Sequence, residues 1–274
     1  LDFVFVLGLG MTVSGVALAS VIAQWSGFIF MMWYINRPRS LIGIGPFLHA
    51  ALFLSALRDH IAYRRFFVLG RDIFFRTALL VFCEALVLNQ AAKLSDLDLA
   101  TCQLVLTLFG ILAFALDAFA YAAEALVGEA IGKRNSTDLR IVIRRTNGLA
   151  AGMALVIAAI LWMGDIVIIQ LFTNQAALTA HAQAHWLWAC LLAPVSFMAF
   201  QLDGIFVGAT RGQDMRNAMI FSAGGLGLAL LLLAPLGLQG LLAAFVGYLG
   251  LRGASLWWHI DRVYPQAGPS LKQH

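Results

Sequence analysis

The sequence predicts an all-α protein that crosses a membrane several times, and three observations support this fold class. Of its 274 residues 61% are hydrophobic and 12% charged, with a mean hydropathy of +0.86, whereas soluble domains are about half apolar and a quarter charged. Seven apolar stretches approach the roughly 20 residues that a spanning helix needs. None alternates apolar and polar residues as outer-membrane strands do. This composition excludes a soluble enzyme, a disordered chain and a secreted disulfide scaffold.

The stretches divide the chain unevenly. A linker of about 35 residues separates the first stretch from the other six, which follow one another closely. We therefore predict one helix over residues 1–36, a cytoplasmic linker over 37–72, a six-helix unit over 73–262 and a cytoplasmic tail over 263–274. Residues 41–57 are apolar but contain Pro46 and His49, and we interpret them as an interfacial helix rather than an eighth span. The stretches lie near residues 13–35, 73–92, 99–127, 146–169, 185–208, 217–234 and 240–260.

Basic residues predict the orientation. If the seven spans alternate in direction, 17 of the 18 Lys and Arg residues lie on one side, and only Lys93 lies on the other. Basic loops face the cytoplasm, so we expect a cytoplasmic linker and C-terminus in a bacterial inner membrane. The net charge of +4 then reflects topology, and nucleic acid is not an expected partner.

Acidic residues inside the stretches are the candidate functional groups, because a charge within a membrane is costly. Glu84 lies roughly 18 Å from the cytoplasmic end of the second stretch, at 1.5 Å per residue. Asp117, Tyr121 and Glu124 share one helix face through their i, i+4, i+7 spacing, and the tyrosine could donate to either carboxylate. Asp203 lies in the cytoplasmic third of its stretch.

The same count places no Lys or Arg in the middle of a span. A carboxylate without a cationic partner there is suited to bind a proton or Na⁺, and we place possible sodium binding at Glu84 and Asp203. For Asp203 an alternative remains, in which Arg211 or Arg216 pairs with it. No cofactor or other metal is expected.

Several other features predict structure rather than chemistry. His181 and His185 have a metal-chelating spacing, but no third ligand is evident. The three cysteines have no framework spacing and are expected to be free buried thiols. Enzyme motifs are not matched.

Pro194 is expected to kink its helix, and three GxxxG pairs are expected to pack helices closely. These pairs are Gly128/Gly132, Gly148/Gly152 and Gly204/Gly208.

Three motifs together resemble the multidrug and toxic compound extrusion (MATE) family, in its DNA-damage-inducible F (DinF) branch. The resemblance runs from residue 1 to about residue 262. The motifs are DAFAYAAEALVG at residues 117–128, RDIFFRT at residues 71–77, and DGIFVGATRG at residues 203–212 followed by Met215-Arg216-Asn217.

The resemblance implies a transporter of twelve helices in two six-helix lobes around a V-shaped cavity. Such proteins export organic, often cationic, compounds in exchange for protons or sodium, and we expect a monomer in the lipid bilayer. The chain would then be the sixth helix, the linker and the C-terminal lobe, without the N-terminal lobe. In the NorM branch a glutamate on helix seven and an acid on helix ten form a cation site; Glu84 matches the first position, and Asp203 lies about one turn from the second. The DinF branch also relies on an aspartate of helix one, in the N-terminal lobe.

Two other functions remain open. A flippase for lipid-linked precursors in the same superfamily would need a basic cavity, and the absence of buried Lys or Arg argues against it. A non-transporting helical remnant or receptor is the other, and the coding sequence upstream of Leu1 would distinguish it from a transporter.

Overall fold

The computed structural model describes residues 4–8, 10–11, 13–35 and 60–264, and every regular element among them is helical. The predicted all-α class is therefore confirmed. A π-helix covers Val4–Gly8, and short 3₁₀ helices cover Ala234–Leu236 and Ile260–Arg262. The α-helices are α1 (Val13–Ile35), α2 (His60–Ala91), α3 (Asp96–Gly132), α4 (Ser136–Met163), α5 (Asp165–Phe172), α6 (Ala176–Ala184), α7 (Trp186–Gly208), α8 (Gly212–Leu232) and α9 (Gly237–Trp258).

Six helices in the described part of the chain are long and apolar enough to cross a membrane, namely α1, α3, α4, α7, α8 and α9. The predicted second span lies in α2, which is not among the six and which begins well before that stretch, at His60. Residues 60–72 of the predicted linker are thus the first turns of α2. The interfacial helix predicted over 41–57 lies outside the described residues.

The chain divides into two units, residues 1–65 and residues 66–274. In the first unit, α1 exposes large apolar side chains around most of its circumference, among them Trp25, Phe28 and Phe30. A helix that is apolar all round belongs in lipid or in a protein core, which agrees with its interpretation as a spanning helix.

The second unit is built around α7. This helix packs against α3, α4 and α9, while α8 packs mainly against α9. Two clusters of buried apolar side chains form most of the core between these helices, and Pro194 lies within α7. All three cysteines are free and buried, as the sequence predicts. The central position of α7 brings the face that carries Asp203 against α3 and α9, and the side chain of Arg76 reaches Asp203 from α2.

One of the three predicted glycine pairs mediates a close helix contact. A Cβ at Gly204 would lie 2.1 Å from the carbonyl oxygen of Ala120, and one at Gly208 would lie 2.4 Å from that of Glu124. Only glycine permits α7 to approach the α3 backbone this closely. The prediction was wrong for Gly148 and Gly152, where a Cβ would meet no atom of the described residues within 4 Å, because both face away from the neighbouring helices.

Side-chain caps and residues with positive φ mark the ends of α3, α4 and α7. Ser95 caps α3 by accepting a hydrogen bond from the Asp98 backbone N–H (3.0 Å), and Asn135 caps α4 by accepting one from the Asp138 N–H (3.1 Å). Arg134 and Thr210 follow α3 and α7 with φ of 53° and 56°. Such left-handed residues commonly end helices, so both turns reverse the chain tightly.

Two ion pairs near the start of α8 exclude the alternative that Arg211 or Arg216 pairs with Asp203. Arg216 donates to Asp72 (Nη1 to Oδ1, 2.7 Å), and Arg211 pairs with Asp214 (Nε to Oδ2, 2.9 Å). Asp72 is only 2% exposed. Neither arginine forms an ion pair with Asp203, because each pairs with a different aspartate.

Candidate functional site

Residues from four helices, α2, α3, α7 and α9, line a cavity of about 320 Å³ in the second unit. All five residues singled out from the sequence line it: Glu84 from α2, Asp117, Tyr121 and Glu124 from α3, and Asp203 from α7. Helical periodicity places the α3 residues on one face, and the glycine contact between α3 and α7 brings Asp203 to them. The structure thus joins residues that lie up to 119 positions apart in the sequence.

Asp203 is paired with two arginines. Its Oδ2 accepts hydrogen bonds from Nη2 of Arg76 and from Nη2 of Arg252. Arg252 is 2% exposed, and Asp203 is 8% exposed. The prediction that no arginine is placed to pair with the acids of the spans was therefore wrong for Asp203, and both arginines line the candidate site although the sequence interpretation missed them.

A signal for both arginines is present in the sequence. Arg76 falls within the stretch 73–92, and Arg252 falls within 240–260. Because α9 continues to Trp258, Arg252 lies six residues inside the helix, although it was counted with a cytoplasmic loop. A basic residue inside an apolar stretch is as informative as an acidic one. Without these two residues the charge imbalance between the two sides is still fifteen to one.

The other three carboxylates in the cavity are differently placed. Glu84, Asp117 and Glu124 are half-buried, and none forms a hydrogen bond or an ion pair with another residue in the described part of the chain. The Tyr121 side chain is largely exposed, and its hydroxyl donates to neither of its helix neighbours, contrary to the sequence interpretation. These three carboxylates are thus available to a ligand, whereas the Asp203 carboxylate already binds Arg76 and Arg252.

Apolar and aromatic side chains complete the cavity wall. Phe109 and Phe200 lie with their ring centroids 5.9 Å apart, and the Arg252 guanidinium carbon lies 5.7 Å from the Phe200 centroid. Leu80 and Leu106 also line the cavity. A mostly apolar wall with a few convergent polar groups is typical of sites for organic ligands.

The two histidines lie elsewhere, near the start of α3. His181 Nε2 is hydrogen-bonded to Asp98 Oδ1 (2.8 Å), and His185 Nδ1 to the His181 carbonyl oxygen (2.9 Å). Within the described ranges no three metal-binding side chains converge. The pair thus ties α6 to α3 through Asp98.

Sequence comparison with protein families adds a decisive observation. The MatE family matches residues 73–233, which is more than half of the chain. The chain belongs to the MatE family. The matched region includes every cavity-lining residue except Arg252. As a MatE protein, the chain is a multi-pass membrane protein of a transporter family and not an enzyme.

Relatives of this MatE chain occur in bacteria and plants. DNA damage-inducible protein F of Escherichia coli (strain K12) is 35% identical over 256 residues, which cover 93% of this chain and 54% of that protein. Protein DETOXIFICATION 44, chloroplastic, of Arabidopsis thaliana is 25% identical over 260 residues, covering 94% of this chain and 47% of that protein. The chain therefore spans about half the length of the curated relatives it matches.

The fold of this MatE chain is also found in a solved structure. The crystal structure of the eukaryotic MATE transporter AtDTX14 matches with a TM-score of 0.82 over 97% of this chain and 60% of that one, at 15% sequence identity. At this identity the likeness shows the fold alone, and the function of the cavity must be argued from its own residues.

Proposed function

We propose that the chain forms the C-terminal part of a cation-coupled exporter of organic compounds, and that the cavity between α2, α3, α7 and α9 holds the coupling cation. The observation that carries this proposal is the presence of Glu84 and Asp117 in a partly apolar cavity between helices, without a hydrogen-bonding or ion-pairing partner among the described residues. Ionised carboxylates in such surroundings are unstable unless a cation or a proton neutralises them.

The proposed mechanism is alternating access. A proton or sodium ion from outside binds at Glu84 and Asp117, the lobes rock, and an organic compound that competes for the same negative charge is released outward. Coupling requires only that the cation and the compound have different affinities for the two states. The aromatic wall around Phe109 and Phe200 would bind varied organic molecules, and no cofactor is needed.

The proposal concerns the whole protein. Since the chain covers 54% of its E. coli relative, we infer that a further lobe completes the transport pathway and that the complete transporter is a monomer. The coding sequence upstream of Leu1 tests this inference. About five further spans would support it, and a start codon directly before Leu1 would contradict it.

Dye efflux from everted membrane vesicles tests the function itself. Vesicles from cells that express the full-length protein should accumulate a fluorescent organic cation when a proton or sodium gradient is imposed. Vesicles from the same cells without the gene provide the control. Equal accumulation in both, under either gradient, would exclude export of that class of compound.

A second prediction concerns orientation. We propose that the first turns of α2 and the C-terminus are cytoplasmic, because the basic residues cluster on that side. A cysteine at the exposed position Gly70 should react with a membrane-impermeant maleimide only after cells are permeabilised, whereas one at Lys93, at the other end of α2, should react in intact cells. The three native cysteines are buried and give a low background. Labelling of Gly70→Cys in intact cells would reverse the topology.

The lipid-linked precursor flippase deserves renewed comparison, because Arg76 and Arg252 line the cavity. The expectation from the sequence that buried Lys and Arg are absent is therefore wrong. However, both arginines bind Asp203, and three further carboxylates line the same cavity. The summed charge of these groups is negative, so the cavity disfavours a pyrophosphate head group and favours a cation.

A further inference from the structure

Asp203 neutralises only one of the two arginines that pair with it. Arg76 and Arg252 together bear two positive charges, and Asp203 bears one negative charge. We call these three residues the Arg–Asp–Arg cluster. Its net charge of +1 lies between membrane-spanning helices, where an uncompensated charge is costly. The compensating negative charge must therefore come from neighbouring groups in the cavity.

Arg252 is a fixed member of this cluster. Its side chain is 2% exposed and lies against the Phe200 ring, and its guanidinium is enclosed by α7 and α9. Its Nη1 has no hydrogen-bond partner among the described residues, and neither does Nε of Arg76. A guanidinium stays protonated in proteins, so the cluster is a permanent source of positive potential beside the cavity.

The charges that face the cluster come from α2 and α3. Glu84 and Asp117 line the same cavity and have no ion-pair partner in the described chain. Glu124 also lines it, but lies roughly 10 Å farther along α3 than Asp117, at 1.5 Å per residue. With all three carboxylates ionised, the cavity and the cluster together carry a net charge of −2.

We propose that the Arg–Asp–Arg cluster sets the affinity of the cavity carboxylates for the coupling cation, and that Asp203 is a positioning residue rather than a ligand of that cation. This inference rests on the proposed cation-coupled function. The permanent positive charge of the cluster offsets part of the negative charge of the carboxylates and so weakens their attraction for a cation. The arginines therefore act as counter-charges that tune cation affinity, and Asp203 holds them in place.

Substitutions that change the net charge of the Arg–Asp–Arg cluster test its effect on cation affinity. The transport rate of the full-length protein in proteoliposomes would be recorded against the concentration of H⁺ and, separately, of Na⁺. Arg252→Gln makes the cavity more negative by one charge, so the half-saturating cation concentration should fall at least about tenfold, because unit charges less than about 12 Å apart interact by about 1.4 kcal/mol or more at an effective dielectric constant of about 20. Asp203→Asn makes the cavity less negative by one charge, and the half-saturating concentration should rise by a similar factor.

The double variant provides the decisive comparison. Asp203→Asn with Arg252→Gln removes one charge of each sign and restores the wild-type net charge. Its half-saturating concentration should return to within about threefold of the wild-type value, a margin well below the single-charge effect. Arg145→Gln is the matched control, since Arg145 is exposed on α4 and does not line the cavity. The same charge loss there should leave the cation dependence unchanged.

The possible outcomes separate this inference from the proposed function. If both single variants and the double variant share the wild-type half-saturating concentration, the cluster does not control the cation and the inference is overturned. The proposed function still stands in that case, provided that wild-type transport depends on the cation. If one single variant yields no folded protein by size-exclusion chromatography, the other single variant compared with the double variant decides the question, because the two differ by one charge.

Discussion

Replacing Glu84 by glutamine is expected to weaken cation-driven efflux strongly in the full-length protein. The substitution keeps the size and hydrogen-bonding capacity of the side chain but removes the charge that the coupling cation neutralises. Since Glu84 lines the cavity without an ion-pair partner in the described chain, little structural disturbance is expected. We expect the rate of dye efflux under an imposed proton or sodium gradient to fall at least tenfold, which corresponds to about 1.4 kcal/mol of lost driving interaction.

Two further variants show whether the effect is specific to carboxylates in the cavity. Asp117→Asn should have a comparable effect, because we assign both carboxylates to one cation site. Glu129→Gln is the matched control: it removes the same charge from α3, but Glu129 is exposed and forms a surface pair with Lys133 (Nζ to Oε1, 2.5 Å). Efflux with wild-type cation dependence in Glu84→Gln would remove Glu84 from the coupling mechanism.

The largest effect on stability is expected at Gly204. An alanine Cβ there would lie 2.1 Å from the Ala120 carbonyl oxygen, a contact that only a separation of α3 and α7 can relieve. Overpacking of this kind typically costs about 1–3 kcal/mol. Because α7 is the central helix of its unit, we expect Gly204→Ala to lower the melting temperature of the purified protein in detergent, and Gly204→Ala with Gly208→Ala to lower it further.

Gly152→Ala separates this steric effect from the general effect of the substitution. Its Cβ would meet no atom of the described residues within 4 Å, and alanine is favoured over glycine within a helix by about 1 kcal/mol. Its melting temperature should therefore equal or exceed that of the wild type. Equal melting temperatures for Gly204→Ala and Gly152→Ala would show that α3 and α7 do not depend on the glycine contact.

The helices and the family could be predicted from the sequence because both depend on local patterns. Apolar stretches of about 20 residues identify spanning helices directly, and the motif at residues 117–128 places Asp117 and Glu124 on one face. All five candidate residues line one cavity for this reason. The position of Asp203 beside them depends on the close approach at Gly204, which the GxxxG spacing indicated without identifying its partner helix.

The partners of Asp203 could not be obtained by the same reasoning. Counting basic residues by side treats every arginine near a helix end as solvated, and Arg252 lies only six residues from the end of α9. Whether such a side chain extends to water or inward depends on the acid that faces it from another helix, which is a tertiary contact. Arg216 shows the same limit, since it pairs with Asp72, 144 positions away, and not with Asp203.

Cation movement driven by the transported compound tests the central claim most directly. Proteoliposomes containing the full-length protein would be loaded with an organic cation and diluted into medium without it, with equal H⁺ and Na⁺ on both sides. As the compound leaves, the account predicts that protons or ²²Na⁺ enter, and that Glu84→Gln strongly weakens this entry. Movement of the compound without any counter-movement of either cation, in the wild-type protein, would contradict cation-coupled exchange.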